Sequence, residues 1–128
     1  MFYEKIILLG LIILLGGCAT TANFFELTPT GTNNHGYWTG AHNNVSVATL
    51  KLNQDGTGVI CQDYQGEARV QSIKKVGNKV YTQDGSFWTV KNETNKNLEL
   101  AYGVGGSYKL IKDDQKTNIS PACKAKLD

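Results

Sequence analysis

The sequence predicts an all-β domain that folds as an antiparallel up-and-down barrel, or as a small sandwich, of about eight short strands. Runs of β-branched and aromatic residues recur at intervals of about 8–12 residues, which is typical of such domains. Turn-forming pairs such as Asp-Gly separate several of these runs. After residue 17, no segment keeps the 3.6-residue hydrophobic period of an amphipathic helix. A meander of this kind must close or fold over, because exposed strand edges pair with other chains.

Each predicted strand is a short run between turn signals. The second run ends at "QDG", the third at "QGE" and the fourth at Gly77-Asn78, which can supply the positive φ angles of a two-residue turn. Asp84-Gly85 follows the fifth run, "NETNKN" the sixth and "GVGG" the seventh. The last two runs alternate between apolar and polar residues, as half-buried strands do. The predicted strands are residues 36–40, 45–53, 57–64, 68–76, 79–83, 86–91, 98–102 and 107–112.

An almost purely apolar segment precedes this domain. Residues 6–15 read "IILLGLIILL", and the small residues Gly16 and Gly17 follow them. A run of about ten residues is too short to cross a bilayer, which needs about 20 residues of helix. It has the length of a signal-peptide core instead. We therefore expect a helical signal peptide over residues 1–17.

Leu15-Gly16-Gly17-Cys18 resembles the lipobox of bacterial lipoproteins, and the whole chain is similar to the short single-domain lipoproteins of Gram-negative bacteria. The resemblance implies cleavage between Gly17 and Cys18 and a diacylglyceryl group on the Cys18 thiol. Fatty acyl chains such as palmitate would then anchor the protein, since each buried methylene adds about 0.8 kcal/mol. Ala19, rather than Asp, after the cysteine implies transfer to the outer membrane, where the domain faces the periplasm or the cell surface.

Processing at this motif would divide the chain into three parts. The apolar stretch "FFEL" (24–27) interrupts the Thr- and Asn-rich part that follows the cysteine, and we expect it to pack on the domain. The three predicted parts are a signal peptide (1–17), an acylated tether (18–35) and a β-domain (36–128).

Two cysteines remain once Cys18 is assigned to lipid. Cys61 and Cys123 are an even number in an oxidising compartment, so we expect a disulfide between them. Their spacing is far from that of a metal-binding or redox Cys-x-x-Cys pair. We expect the disulfide to clamp the C-terminal segment to the wall of the β-domain.

Gly36-Tyr37-Trp38 resembles the Gly-x-Trp motif that begins the first strand of lipocalin-like barrels. The resemblance implies that Trp38 plugs one end of the barrel. An eight-stranded barrel has room for its own side chains or for one small ligand. The aromatic candidates for the core, or for the lining of a pocket, are Trp38, Trp88, Tyr102 and Tyr108.

The sequence offers little that could carry catalysis. Both histidines, His35 and His42, lie in one polar stretch, but no third metal ligand is evident near them. No serine sits in a Gly-x-Ser-x-Gly elbow. We expect no enzyme, no metal site and no cofactor.

The charge balance is mixed. Without Lys5 and Glu4 of the signal peptide, the 13 basic and 11 acidic residues become 12 and 10. This balance argues against nucleic-acid binding. The adjacent Lys74 and Lys75 suit solubility or a weak attraction to anionic glycolipid surfaces.

These observations predict an outer-membrane-anchored lipoprotein that acts as a non-catalytic structural or interaction module of the cell envelope. Its expected partners are membrane lipid, through acylated Cys18, and an unknown envelope protein or a small apolar ligand. One alternative is a lipocalin-like carrier of a small apolar ligand. Another is an inhibitor of a host hydrolase such as lysozyme, although the inhibitory loop of such barrels is not found in this sequence.

Overall fold

The computed structural model describes residues 23–127, which form an antiparallel barrel of eight strands. Each strand pairs with its neighbours in sequence, and the first pairs with the last to close the barrel. The predicted all-β fold is confirmed, with the barrel rather than the sandwich as its form. Every strand lies within two residues of its predicted bounds. The strands are β1 (Gly36–His42), β2 (Ser46–Leu52), β3 (Thr57–Tyr64), β4 (Glu67–Val76), β5 (Lys79–Thr82), β6 (Phe87–Glu93), β7 (Asn97–Ala101) and β8 (Ser107–Lys112).

The alternating chain direction gives the barrel two distinct ends. The end at which β1 begins, here called the closed end, carries the hairpin turns at 53–56, 77–78 and 94–96. The opposite end, here called the mouth, carries the turns at 43–45, 65–66, 83–86 and 102–106. A strand of seven residues such as β1 separates the two ends by roughly 20 Å, at about 3.3 Å per residue.

Side chains at alternate strand positions fill the barrel interior, because successive strand residues point to opposite faces. Leu98 pairs with Leu110 and Leu100 with Tyr108, so β7 and β8 bring their apolar residues to the same face. The buried side chains of this core are Trp38, Ala48, Leu50, Leu52, Ile60, Ile73, Val80, Trp88, Leu98, Leu100, Tyr108 and Leu110.

Trp38 fills the closed end. Its side chain is fully buried, and its indole N–H donates a hydrogen bond to the Asn34 carbonyl at 2.9 Å. The Lys112 ammonium lies 4.8 Å from the ring centroid, within the range of a cation–π contact. Gly36, two residues earlier, has a φ of 118°, a conformation that favours glycine. Trp38 therefore occupies the position that the Gly-x-Trp resemblance implies.

The described part of the predicted tether is bound to the barrel. A 3-10 turn at Phe24–Glu26 buries Phe24, as expected for this apolar stretch. The Thr30 N–H donates to the Lys75 carbonyl at 2.8 Å, and the Thr32 N–H donates to the Gln54 carbonyl at 2.9 Å. Residues 24–34 thus extend the closed end instead of forming a free linker.

The sequence suggests that Lys75 is a solvent-exposed lysine, but the structure shows that it is buried. Its side chain is buried at the closed end, where Nζ lies 3.6 Å from a Glu93 carboxylate oxygen and donates to the Gly77 carbonyl at 2.9 Å. The Asn34 amide donates to the same carboxylate at 2.6 Å. These partners satisfy a charge that would be costly to bury alone.

A disulfide joins the C-terminal segment to the outer wall of the barrel. Cys61 of β3 and Cys123 are bonded, with their Cα atoms 5.8 Å apart. Cys123 lies in a short helix, α1 (Pro121–Leu127), and Ile119 packs beside the disulfide. The sequence analysis predicts no helix after the signal peptide, because seven residues are too few to display a helical period.

The remaining sequence predictions at the N-terminus fall outside the description. Gly17, Cys18 and the rest of the signal peptide precede the first described residue, Asn23. Among residues 23–127, no helix is long and apolar enough to cross a membrane.

Candidate functional site

Seven side chains with polar or aromatic groups converge at the mouth. They come from the ends of β1, β2, β3, β6 and β8 and from the β7–β8 turn, which the barrel closure brings together. Each is linked to another member by a hydrogen bond or a ring contact. The members of this mouth cluster are His42, Ser46, Gln62, Tyr64, Trp88, Tyr102 and Tyr108.

The Gln62 side chain is the centre of the hydrogen bonds. Its amide nitrogen donates to the hydroxyls of Tyr64 at 2.8 Å and Tyr108 at 3.0 Å, and lies 3.4 Å from that of Tyr102. Because an amide carries two hydrogens, the three hydroxyls share two donors. The Tyr108 hydroxyl also bonds the Ser46 hydroxyl at 2.5 Å. The network fixes Tyr108 and leaves Tyr102 the most weakly held.

The rings of the cluster contact one another at distances typical of favourable aromatic pairs. The centroid of Tyr102 lies 5.6 Å from that of Trp88 and 5.8 Å from that of Tyr108. The His42 ring lies 5.2 Å from Tyr102 and 5.9 Å from Tyr108. The mouth is therefore lined by a continuous aromatic layer with hydroxyl and amide groups at its edges.

Burial raises the pKa of two tyrosine hydroxyls at the mouth, those of Tyr64 and Tyr102. It is the main cause that raises the pKa of Tyr102 well above its usual value, and the neighbouring Tyr108 raises that pKa further. The pKa of Tyr64 is raised by the same two causes in the same order. At neutral pH these hydroxyls are uncharged groups that can both donate and accept hydrogen bonds.

Trp88 carries a buried donor without a well-placed acceptor. Its indole Nε1 has no partner at hydrogen-bond geometry within residues 23–127, although the side chain is almost fully buried. The Tyr102 hydroxyl is the polar group beside it, and this contact partly offsets the rise in the Tyr102 pKa. Leaving such a donor unpaired costs about 1–3 kcal/mol. An oxygen atom of a water or a bound molecule at the mouth would satisfy it.

The four aromatic candidates from the sequence do not form one site. Trp38 lies at the closed end, whereas Trp88, Tyr102 and Tyr108 meet at the mouth. Ser46, Gln62 and Tyr64 were not among the candidate site residues predicted from the sequence, and His42 was predicted to have no metal-binding role. Gln62 and Tyr64 are two residues apart just before a turn, and this spacing was the signal that could have identified them as inward-facing.

The two histidines stand apart as well. His35 precedes β1 at the closed end and His42 ends β1 at the mouth, so they cannot bind one metal ion together. In the described part of the chain, no group of three or more His, Cys, Asp or Glu side chains is arranged to hold a metal.

The larger depressions of the described domain lie on its surface and not inside the barrel. A depression of about 390 Å³ beside the mouth is lined by the β1–β2 and β3–β4 turns, including Asn44 and Gln65. A second, of about 330 Å³, lies on the outer wall next to Phe24. The interior itself is filled by fully buried side chains such as Trp38, Leu50 and Tyr108.

A closed eight-stranded meander, plugged by a tryptophan at one end and lined with aromatic residues at the other, is a lipocalin-like barrel. More specifically, this chain belongs to the family described as "Bacterial lipocalin LPS transport optimiser YedD", whose model matches residues 21–127. The family is one of bacterial lipocalin-like lipoproteins.

Two solved structures support the same fold. A lipoprotein YedD from Klebsiella pneumoniae has 14% sequence identity and a TM-score of 0.54, with 83% of this chain and 92% of that chain covered. A lipocalin lipoprotein affecting virulence in Streptococcus pneumoniae also has 14% identity and a TM-score of 0.54, with 66% of this chain and 97% of that chain covered. No curated protein sequence matches the chain.

Proposed function

We propose that this protein is an outer-membrane-anchored, non-catalytic interaction module that assists LPS transport. The observation that carries the proposal is the filled barrel: Trp38, Leu50 and Tyr108 occupy the interior, so a partner must meet the mouth or the outer wall. The family description supplies the process. The lipobox at Cys18 supplies the anchor.

The mouth is the surface that suits a protein partner. Two exposed apolar side chains lie in turns beside the mouth cluster, Val45 and Val104, which is 99% exposed. Tyr64, a member of the cluster, is itself 38% exposed. Tyrosine is enriched at the centre of protein interfaces, and Tyr64 lies at the edge of the aromatic layer. Tyrosines with raised pKa values are poorly suited to acid–base catalysis near neutral pH, which agrees with a binding role.

A complementation experiment tests this function. In a strain that lacks the protein, we expect wild type to restore LPS at the cell surface and Cys18→Ser to lose membrane fractionation and fail to restore it. Val104→Asp, which alters an exposed side chain without touching the core, should stay on the membrane and still restore less LPS. Ile111→Ser on the outer wall of β8 is the matched control. Full restoration by both Cys18→Ser and Val104→Asp would contradict the proposal.

The unpaired Trp88 N–H favours a second candidate, a carrier of a small ligand at the mouth. The filled core limits such a ligand to a compact molecule that presents an oxygen acceptor to Nε1. Titration with short-chain fatty acids and with monosaccharides should then change the tryptophan emission saturably, and Trp88→Phe should abolish the change. An unchanged emission with both classes would exclude these ligands.

A further inference from the structure

One side of the barrel carries exposed aromatic rings together with lysines. Phe25 is 72% exposed and Phe87 is 42% exposed, although both are large apolar side chains. The Lys79 ammonium lies over the Phe87 ring, and the Lys74 ammonium contacts the turn that carries Phe25. Glu26 follows Phe25 in the sequence. We call this surface the aromatic–lysine wall; its members are Phe25, Lys51, Lys74, Lys79, Tyr81 and Phe87.

The strand register assembles the wall. Lys74 of β4 pairs with Tyr81 of β5, and Tyr81 pairs with Phe87 of β6, so the three share the outer face. The rings of Tyr81 and Phe87 are 5.5 Å apart, and the Lys79 ammonium lies 4.8 Å from the centroid of Phe87. Aromatic rings with adjacent lysines are the side chains that favour the interface between membrane and water.

Phe25 is held outward by ordered structure. The Lys74 ammonium donates to the carbonyls of Phe24 at 2.8 Å and Leu27 at 3.1 Å, and lies 4.8 Å from the Phe24 ring centroid. The Asn23 side chain accepts the Phe25 N–H at 3.1 Å. Because these contacts bury Phe24 in the turn, they leave the next ring, Phe25, in solvent.

The wall is also the part of the domain nearest the expected anchor. Six residue steps separate Cys18 from Phe24, and a fully extended chain of that length spans at most about 22 Å. The turn at Phe24–Glu26 must therefore stay close to the membrane that holds the acylated cysteine. Val104 lies in the β7–β8 turn at the mouth, away from this turn.

We propose that the aromatic–lysine wall docks on an anionic phospholipid surface, with Phe25 at the level of the acyl chains and Lys51 and Lys79 facing the headgroups. Positive charge near an anionic leaflet and a buried aromatic ring reinforce each other. The groove of about 330 Å³ beside Phe24 and Lys51 belongs to the same surface. The inference rests on the acylation of Cys18 in the proposed function.

Quenching by brominated phospholipid tests the docking. Acylated mature Phe25→Trp and Val104→Trp variants, which begin at Cys18, are reconstituted in vesicles of phosphatidylcholine and phosphatidylglycerol that contain the quencher. Both changes replace exposed apolar side chains, and the background from Trp38 and Trp88 is the same in each. We expect the added emission of Phe25→Trp to be quenched at least about twofold more than that of Val104→Trp, because only the former ring reaches the acyl region.

Charge variants give the second readout. Lys51→Gln combined with Lys79→Gln should reduce the quenching of Phe25→Trp, whereas Lys109→Gln on β8, across the barrel, should leave it unchanged. Retention on the vesicles reports the acyl anchor separately. Retention with equal quenching at positions 25 and 104 would overturn the docking alone, and loss of retention would overturn both the anchor and the docking.

Discussion

Gly36 and Gly40 are positions where the barrel accepts no larger residue. Gly36 combines a φ of 118° with a neighbourhood in which a Cβ would collide with the Asp114 carboxylate and the Lys112 ammonium. At Gly40, a Cβ would collide with the backbone of Lys109 at the β1–β8 seam. The glycine of the Gly-x-Trp motif is thus required by its positive φ, because the two side-chain ends beside it could move. Gly40 is required by the close backbone contact that closes the barrel.

Asp84 makes the stability of the β5–β6 turn depend on pH. Hydrogen bonds from the hydroxyl of Thr82 and then from Ser86 lower the pKa of Asp84 from 3.8 to about 2. Because the folded state binds the proton less tightly than the unfolded state, the stabilisation is complete above about pH 4. It is lost as the pH falls through about 2.

We therefore predict that Asp84→Asn flattens the dependence of stability on pH between about 4 and 2. Urea unfolding at a series of pH values measures this, with the exposed Glu67→Gln as control. The effect is small, because solvent screens the exposed carboxylate. Superimposable pH curves for wild type and Asp84→Asn would refute the assignment.

Single residues could be placed from the sequence where their role depends on a local motif, but not where it depends on contacts between distant strands. Trp38 could be placed because a three-residue motif specifies it locally. The partners of Gln62 could not, because its hydrogen bonds to Tyr102 and Tyr108 span 40 and 46 residues and depend on the register of several strands. The burial of Lys75 could not be predicted either, because its partner Glu93 lies on another strand, β6.

At the scale of elements, strands were predictable and the terminal segments were not. The strands carry a two-residue alternation and end at turn-forming pairs, so their bounds follow from local signals. Helix α1 and the residues around Thr30 instead take their conformation from contacts with the barrel wall. A seven-residue helix and a Thr-rich segment carry no periodic pattern that could reveal this.

The disulfide should contribute much of the stability of the C-terminal element. It closes a loop with a sequence separation of 62, for which the chain-entropy model gives about 4 kcal/mol. We predict that Cys61→Ser combined with Cys123→Ser lowers the melting temperature by at least about 10 °C. Thermal unfolding by circular dichroism measures the change, and adding reductant should affect wild type but not the variant. Equal melting temperatures would show that α1 docks without help from the covalent link.

At the scale of the whole molecule, the barrel separates two surfaces. The backbone hydrogen bonds of Thr30 and Thr32 bind the N-terminal segment to the closed end. The 3-10 turn at Phe24–Glu26 precedes these two residues. The mouth lies roughly 20 Å away along the strands and presents an aromatic layer with the exposed Val104 in the adjacent β7–β8 turn. The fold can thus hold a membrane anchor on one side and a partner on the other.

The predicted fold class rested on the pattern of strands and turns along the whole chain, whereas the family resemblance rested on two short motifs. A meander of eight runs with tight turns has few ways to protect its edges, and closure is the simplest. The packing of the interior depended on which side chains face inward at each level. For this reason the sequence could not decide whether the aromatic residues form a packed core or line a pocket. Because the structure shows a filled interior, we propose the mouth as the site of interaction.

The most direct test of the central claim is photo-crosslinking from the mouth in intact envelopes. A photoreactive amino acid at position 104 would sample the proposed partner surface, and one at position 111, on the outer wall of β8, is the control. We predict a protein adduct from position 104 that mass spectrometry assigns to a component of LPS transport, and little or none from position 111. Equal adducts from both positions, or no protein adduct from position 104, would contradict a partner at the mouth.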